Sequence, residues 1–542
     1  MSADVVLAFV LVAVAVVVLA GWVAERTGLP AAALLTLAGI ACSLLPVPVV
    51  ALNPSFVLAF VIPPLLYSAA LDSSLLDIRR NLGTVISLSV LLVLLTALAI
   101  GVGFAWFVGG ATLAVGVAVG AAVAPPDPVA ALAVARTSGL PVRLVTLIQG
   151  EGLLNDATAL TLLAVAVAAE TGDGFSTSAA VGHFLLAAVG GIIAGGVVAY
   201  GVRLLRHVAR EPLTANAVSL ATPYAAYLLA EQFHVSGVLA VVVTGLIIGH
   251  DAPRWVDSES RLQTGAVWRL ADFLLQGLVF LLIGQQLPRI LHGLQQYDAV
   301  TVLPAVAVTT GVLLLLRPLW LVLAHKLPAA VHTRLGTARG RGWAANALTG
   351  REVVALSWSG TRGVISLAAI FTVPLTKADG TPFPLRSLLV FCALVAVLVT
   401  LLGQGLTFAP LVRLLRLHAS EADQAKLRNE ARSASVHAAL IRLAEIRDDD
   451  LDTDPRLIEH MREQLHVRLR RYQSRLDTLR AAGGHAASTS PEYEAGSRIR
   501  RAIIDAQRQE LLRWRDAGRL PDTGLRVLER ELDHEERLLP RK

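Results

Sequence analysis

Residues 120–163 read GAAVAPPDPVAALAVARTSGLPVRLVTLIQGEGLLNDATALTLL, and this stretch decides the fold. Two apolar segments carry acids where acids are costly: Asp127 inside Pro125-Pro126-Asp127-Pro128, and Glu151 and Asp156 inside the segment that follows. An ionisable side chain in a membrane-spanning segment costs about 2.5 kcal/mol or more, and it marks an ion or proton route by default. The prolines matter as much as the acids. Pro126 and Pro128 lack the N–H donor and crowd the preceding turn, so a regular helix cannot run through Asp127. A spanning helix broken beside a carboxylate exposes backbone carbonyls and helix ends to a cation, as in secondary transporters.

Composition agrees with a membrane setting. The 542 residues are 55% hydrophobic and only 16% charged, with mean hydropathy +0.62, whereas a soluble chain carries about 25% charge. Apolar runs reach the roughly 20 residues needed to cross a bilayer. The net charge of +6 comes from arginines at segment ends, which argues against nucleic acid as a partner. Cys42 and Cys392 lie inside apolar runs and suggest neither a disulfide framework nor a metal site. The first run, 5–23, is too long for a signal peptide and reads as the first span.

Thirteen spans are predicted, near 4–23, 30–47, 54–72, 83–108, 112–135, 147–169, 179–203, 214–232, 235–250, 267–288, 300–325, 352–374 and 386–415. One set of alternate loops holds most of the basic residues, including Arg79, Arg80, Arg203, Arg254, Arg334, Arg339, Arg341 and Arg413; the other holds little beyond Arg289, Lys377 and Arg386. The positive-inside rule then puts the N-terminus outside and the C-terminus in the cytoplasm. The fold class is an all-α polytopic membrane protein of about 13 transmembrane helices. Residues 1–416 form the transmembrane domain and 417–542 a cytoplasmic helical tail, with helix starts at Pro455, Pro491 and Pro521 and a linker over 483–490.

Asp156 is the strongest candidate for the transported ion. Glu151 and Asn155 are four apart and share a helix face, while Asp156 is turned about 100° from Asn155. A buried carboxylate needs a cationic partner. For Glu151 the candidate is Arg362, set between glycines in Gly360-Thr361-Arg362-Gly363 about ten residues inside the twelfth span. Arg317 stands nearer the cytoplasmic end of its own span and reads as a snorkelling arginine. If spans 1–6 and 8–13 are inverted repeats, the interrupted fifth and twelfth spans correspond, which is the sequence mark of a transporter's binding site.

At these residues the chain resembles the monovalent cation/proton antiporters of the CPA1 type, the bacterial NhaP-like and animal sodium/proton exchanger group. Five stretches carry the resemblance: Pro63-Pro64-Leu65-Leu66-Tyr67, Pro126-Asp127-Pro128-Val129, 150–160, Gly360-Thr361-Arg362-Gly363 and Gln404-Gly405-Leu406-Thr407. It covers roughly residues 1–416. The resemblance implies an inverted-repeat antiporter fold with broken crossing helices. It implies a homodimer in the plasma membrane that exchanges sodium or potassium for protons by alternating access, without a cofactor. Carried over, Asp156 is the carboxylate that binds the monovalent cation or the proton in turn. Asn155, Asp127, Pro126 and Ser68 complete that site, and Glu151 with Arg362 forms a structural ion pair. One ionisable residue in Asn155-Asp156 implies electroneutral one-for-one exchange. Membrane lipid is the expected surround, and the tail is expected to contact a regulator or a second copy.

Three positions depart from the family pattern: Ser68 stands where an acid is common, Gly152 where a serine is, and Pro126 where a threonine is. The cation site is therefore expected to be poor in side-chain oxygens, and Ser68→Glu with Gly152→Ser is expected to tighten sodium. Two other readings compete: a proton-coupled carrier of an organic solute, and an intramembrane aspartyl protease using Asp127 and Asp156. No aromatic or basic cluster beside Asp156 suits an organic anion. A proline-bracketed Asp127 and a partnered Asn155 fit ion coordination better than a proton-sharing acid pair.

Overall fold

The computed structural model describes residues 3–44, 54–171, 177–208, 211–256, 258–326, 348–377, 379–417, 421–449, 454–481, 491–517, 519 and 522–537. The expected basic loop with Arg334, Arg339 and Arg341, the linker over 483–490 and Pro521 lie outside them. Among the described residues every regular element is a helix, and the single β-bridge joins Thr376 to Pro382. Among the described residues seven helices are long and apolar enough to cross a membrane, and four shorter apolar helices accompany them. The chain divides into two compact units, Met1–His418 and Ala419–Lys542.

The first unit begins with α1 (Ala3–Thr27), α2 (Ala31–Ser43) and α3 (Val57–Leu71). Prolines shape α3. Pro63 and Pro64 have no N–H to return to the preceding turn, and the helix widens into a π turn over Val57–Val61 just before them. A second π turn, Ser87–Leu91, lies within α4 (Leu82–Phe107).

The fifth span is two half-helices, α5 (Leu113–Val123) and α6 (Val129–Ser138). Thr112 caps α5 by accepting the Val115 N–H, and Gly139 ends α6 in the left-handed conformation at φ 62°. Next come α7 (Val142–Thr171), α8 (Thr177–Val208), α9 (Pro212–Gln232), α10 (Gly237–Trp255), α11 (Ser258–Gln285) and α12 (Ala299–Lys326). The twelfth span is again two pieces, α13 (Gly350–Trp358) and α14 (Val364–Phe371). A capping box between Thr349 and Glu352 starts α13. A last span, α15 (Arg386–Leu414), carries a third π turn at Val399–Gln404.

Close approach of backbones sets the packing, as it must where lipid is as apolar as the side chains. The second unit holds α16 (Glu421–Asp449), α17 (Pro455–Ala481), α18 (Pro491–Asp516) and α19 (Asp522–Arg537). Pro455 and Pro491 occupy the first helical position, where a missing N–H costs nothing. α16 packs on α17 and α18 on α19. Arg508 ties the latter pair to Asp533 and Glu536 at 2.5 and 2.6 Å.

The tightest crossing in the first unit is between α2 and α11. A Cβ on Gly284 would stand 2.2 Å from the Thr36 carbonyl oxygen and 2.7 Å from the Ile40 nitrogen. Gly284→Val should therefore push the two helices apart, a loss of about 1–3 kcal/mol or more. Thermal unfolding in detergent checks this, and an unchanged Tm would refute the backbone contact.

Candidate functional site

The site lies where the two broken spans cross. Between α5 and α6 the chain is non-helical over residues 124–128, and so is the link from Ser359 to Gly363 between α13 and α14. The two links bind each other. Asp127 N–H donates to the Thr361 carbonyl at 2.7 Å, and Thr361 Oγ1 donates back to the Asp127 carbonyl at 2.8 Å.

Each link presents one charge to the helix ends around it. Asp127 Oδ1 accepts the Val129 N–H at 2.9 Å, at the start of α6. Its Oδ2 lies against Gly363, the residue that begins α14, so closely that a Cβ there would stand 1.7 Å away. One carboxylate thus serves two helix N-termini, where partial positive charge collects. Arg362 does the converse. Its Nε donates to the Val123 carbonyl at 2.6 Å and its Nη1 to the Gly360 carbonyl, at the C-terminal ends of α5 and α13.

This corrects the expected ion pair. Glu151 does not pair with Arg362. Its two carboxylate oxygens take both terminal nitrogens of Arg317, Nη2 to Oε2 at 2.9 Å with Nη1 on Oε1 beside it. Arg317 Nε meanwhile donates to the Leu356 carbonyl near the end of α13 at 3.0 Å. The reason is reach. Arg362 sits in the link and is used up by the helix-end carbonyls, while α12 delivers Arg317 sideways to α7. Arg317 is also not a snorkelling residue: it is 3% exposed, and nine residues of α12 separate it from Lys326, about 13 Å of axis.

Asn155 and Asp156 lie on α7, both fully packed among protein atoms. Asn155 Nδ2 donates to the Pro126 carbonyl at 2.9 Å, which ties α7 to the first link. Its Oδ1 is buried and has no hydrogen-bond partner among the described residues. The second link is held in the opposite sense: Thr400, in the π turn of α15, accepts the Arg362 N–H at 2.9 Å.

Ser68 stands apart from these contacts. Its hydroxyl donates to Asp272 of α11 at 2.6 Å. The expected Gly152→Ser gain meets an obstacle, since a Cβ on Gly152 would lie 2.6 Å from the Pro128 ring. A side chain at 152 is compatible with this crossing only if Pro128 moves. Ser68→Glu would likewise bring a second carboxylate against Asp272.

Sequence reasoning missed Arg317 as a partner, Thr361 and Thr400 as link-holders, and Asp272 altogether. Asp272 had a usable signal, an acid inside the tenth apolar run, the same signal that picked out Asp127.

Comparison with known proteins decides the family. The profile described as "Sodium/hydrogen exchanger, transmembrane" matches residues 13–414. The chain belongs to the sodium/hydrogen exchanger family. An uncharacterized Na(+)/H(+) exchanger of Mycobacterium tuberculosis is 35% identical over 498 residues, covering 90% of this chain and 87% of the relative. A protein of Bacillus pumilus named as a sodium, potassium, lithium and rubidium/H(+) antiporter is 30% identical over 365 residues, 65% of this chain and 53% of the relative. The solved sodium proton antiporter MjNhaP1 of Methanocaldococcus jannaschii has the same fold: TM-score 0.57 at 20% identity, covering 76% of this chain and 97% of that one.

The buried pair gives a stability test. Removing either Glu151 or Arg317 alone leaves a buried charge uncompensated, a loss of about 3–5 kcal/mol. The double variant Glu151→Gln, Arg317→Gln should be more stable than at least one of the singles. Strictly additive losses in thermal unfolding would argue against the pair.

Proposed function

We propose that this exchanger moves one sodium or potassium ion against one proton, electroneutrally, with Asp156 holding either the cation or the proton in turn. Asn155, Asp127 and Pro126 frame that carboxylate, and Ser68 adds an oxygen. The observation that carries the reading is the charge balance at the crossing. Partly buried Asp127 and buried Glu151 and Asp156 face the buried Arg317 and Arg362, which leaves one negative charge uncompensated among these five groups. One monovalent cation or one proton makes the centre neutral. An empty centre would have to carry a bare buried charge through the membrane, at a cost of several kcal/mol, so uncoupled movement is disfavoured.

A thin oxygen set supports a broad cation range. Gly152 has no oxygen to give, the Pro126 carbonyl is already bonded to Asn155, and the Ser68 proton is held by Asp272. Asp156, the free Asn155 Oδ1 and backbone carbonyls remain, a weak field that discriminates little against the more easily dehydrated potassium. The name of the Bacillus pumilus relative points the same way. We further place the protein as a homodimer in the plasma membrane, N-terminus outside and C-terminus cytoplasmic, with the tail as the part that meets a regulator. No basic or aromatic cluster beside Asp156 favours an organic solute.

Asp156→Asn should abolish cation-dependent proton movement in proteoliposomes while leaving folding and oligomeric state unchanged. Measurable exchange by that variant would end the assignment. Orientation has its own test in a background lacking Cys42 and Cys392. Cysteine at Lys377 should label from outside and cysteine at Arg413 only from inside; labelling of both from one side would overturn the topology.

A further inference from the structure

Asp272 lies on α11 and takes no part in the crossing. With Ser260, Thr264 and Trp268 it recurs at every fourth residue, so the four occupy one side of that helix. Two of them bond to α9. Thr264 Oγ1 donates to Asn216 Oδ1 at 2.5 Å, and Trp268 Nε1 donates to Ser219 Oγ at 3.0 Å. The Tyr67 ring lies on the Trp268 indole at 5.2 Å between centroids. Beyond them comes the bond from Ser68 Oγ to Asp272 Oδ2 at 2.6 Å.

Serine, threonine and asparagine contacts of this kind hold helices together in a membrane without any charge. A carboxylate needs a further reason. Asp272 lies five residues, about 7.5 Å, inside the apolar run that begins near residue 267. Acids within spans are rare and mark function by default.

We propose that Asp272 is a positioning residue of the transport site and acts through Ser68. This rests on the reading above in which Ser68 supplies an oxygen to the cation. A serine hydroxyl has one proton and two acceptor lone pairs. Donation of that proton to a carboxylate is a charge-assisted bond; it fixes the hydroxyl rotor and leaves the lone pairs turned away from Asp272. The oxygen is polarised toward negative, which strengthens it as a ligand for a hard cation. α3, which carries Ser68, packs against α7, which carries Asn155 and Asp156. On the reading above the oriented hydroxyl belongs to the wall beside the ion site, and Asp272 acts on it without having to touch the ion.

The test is a set of variants assayed in proteoliposomes for sodium-dependent proton movement: Asp272→Ala, Asp272→Asn, Asp272→Glu, Ser68→Ala and the double Ser68→Ala, Asp272→Ala. Asp272→Ala should raise the apparent KM for sodium about tenfold, the size of a lost bond to a charged group, with Vmax within about twofold. Asp272→Asn, which keeps an acceptor but no charge, should raise it less, and Asp272→Glu should restore it. In the Ser68→Ala background the loss of Asp272 should add nothing. A purely structural role would lower the amount of folded protein or Vmax and leave KM in place, and that result overturns the proposal. So does an undiminished effect of Asp272→Ala without Ser68. Should Asp272→Ala fold poorly, the Asn and Glu variants with Ser68→Ala decide the question alone. An unchanged KM in Ser68→Ala would instead sink Ser68 as a cation ligand, a separate failure from a raised KM there with Asp272 variants at the wild-type value.

Discussion

Four half-helix ends meet inside the protein, and like poles lie together. The N-termini of α6 and α14 converge on Asp127, and the C-termini of α5 and α13 converge on Arg362. Each helix end carries roughly half an elementary charge, so each pair of ends amounts to about one charge. One carboxylate and one guanidinium match them. Without those two side chains the breaks at Pro125–Pro128 and at Ser359–Gly363 would bury unpaired N–H and C=O groups in a medium that offers none in return. Everything else at the site is hung on this crossing: Asn155 on the Pro126 carbonyl, Thr400 on the Arg362 N–H, Thr361 on Asp127.

The second buried charge pair does different work. Glu151 and Arg317 join α7 to α12, and through Leu356 to the end of α13. The helix bearing Asp156 is thereby fastened to the far side of the crossing. An apolar pair could pack there at no loss of stability. What the charges add is a match of sign: Glu151 is balanced by Arg317, and Asp156 on the same helix is left as the carboxylate that we propose takes a sodium ion or a proton.

The π turns sit beside this centre. Ser87–Leu91 packs against α7 and places Ser89 Oγ on the Glu151 carbonyl at 3.3 Å, while Val399–Gln404 presents Thr400 to Arg362. A π turn frees or redirects one backbone position per turn. Here the hydroxyls of Ser89 and Thr400, one in each turn, hold the site from both halves of the chain.

The membrane class, the two broken spans and the identity of Asp156, Asn155 and Asp127 as polar exceptions were legible in the sequence, because each is a local conflict. An acid among apolar residues and prolines inside a span violate local rules wherever they occur. Pairing was not legible. Arg362 and Arg317 are both arginines in apolar runs, and which one meets Glu151 depends on the path of α12 and on how many carbonyl ends surround Arg362. The contact of Asp272 with Ser68, 204 residues apart, depends on α11 packing beside α3. Gly152 shows the same division: a missing oxygen in the sequence is, in three dimensions, the space the Pro128 ring requires. Sequence alone determined which residues are costly in a bilayer, since desolvation is a property of the residue and its immediate run. Only the tertiary structure decided how those costs are met, since compensation comes from charges and helix ends brought together from distant parts of the chain.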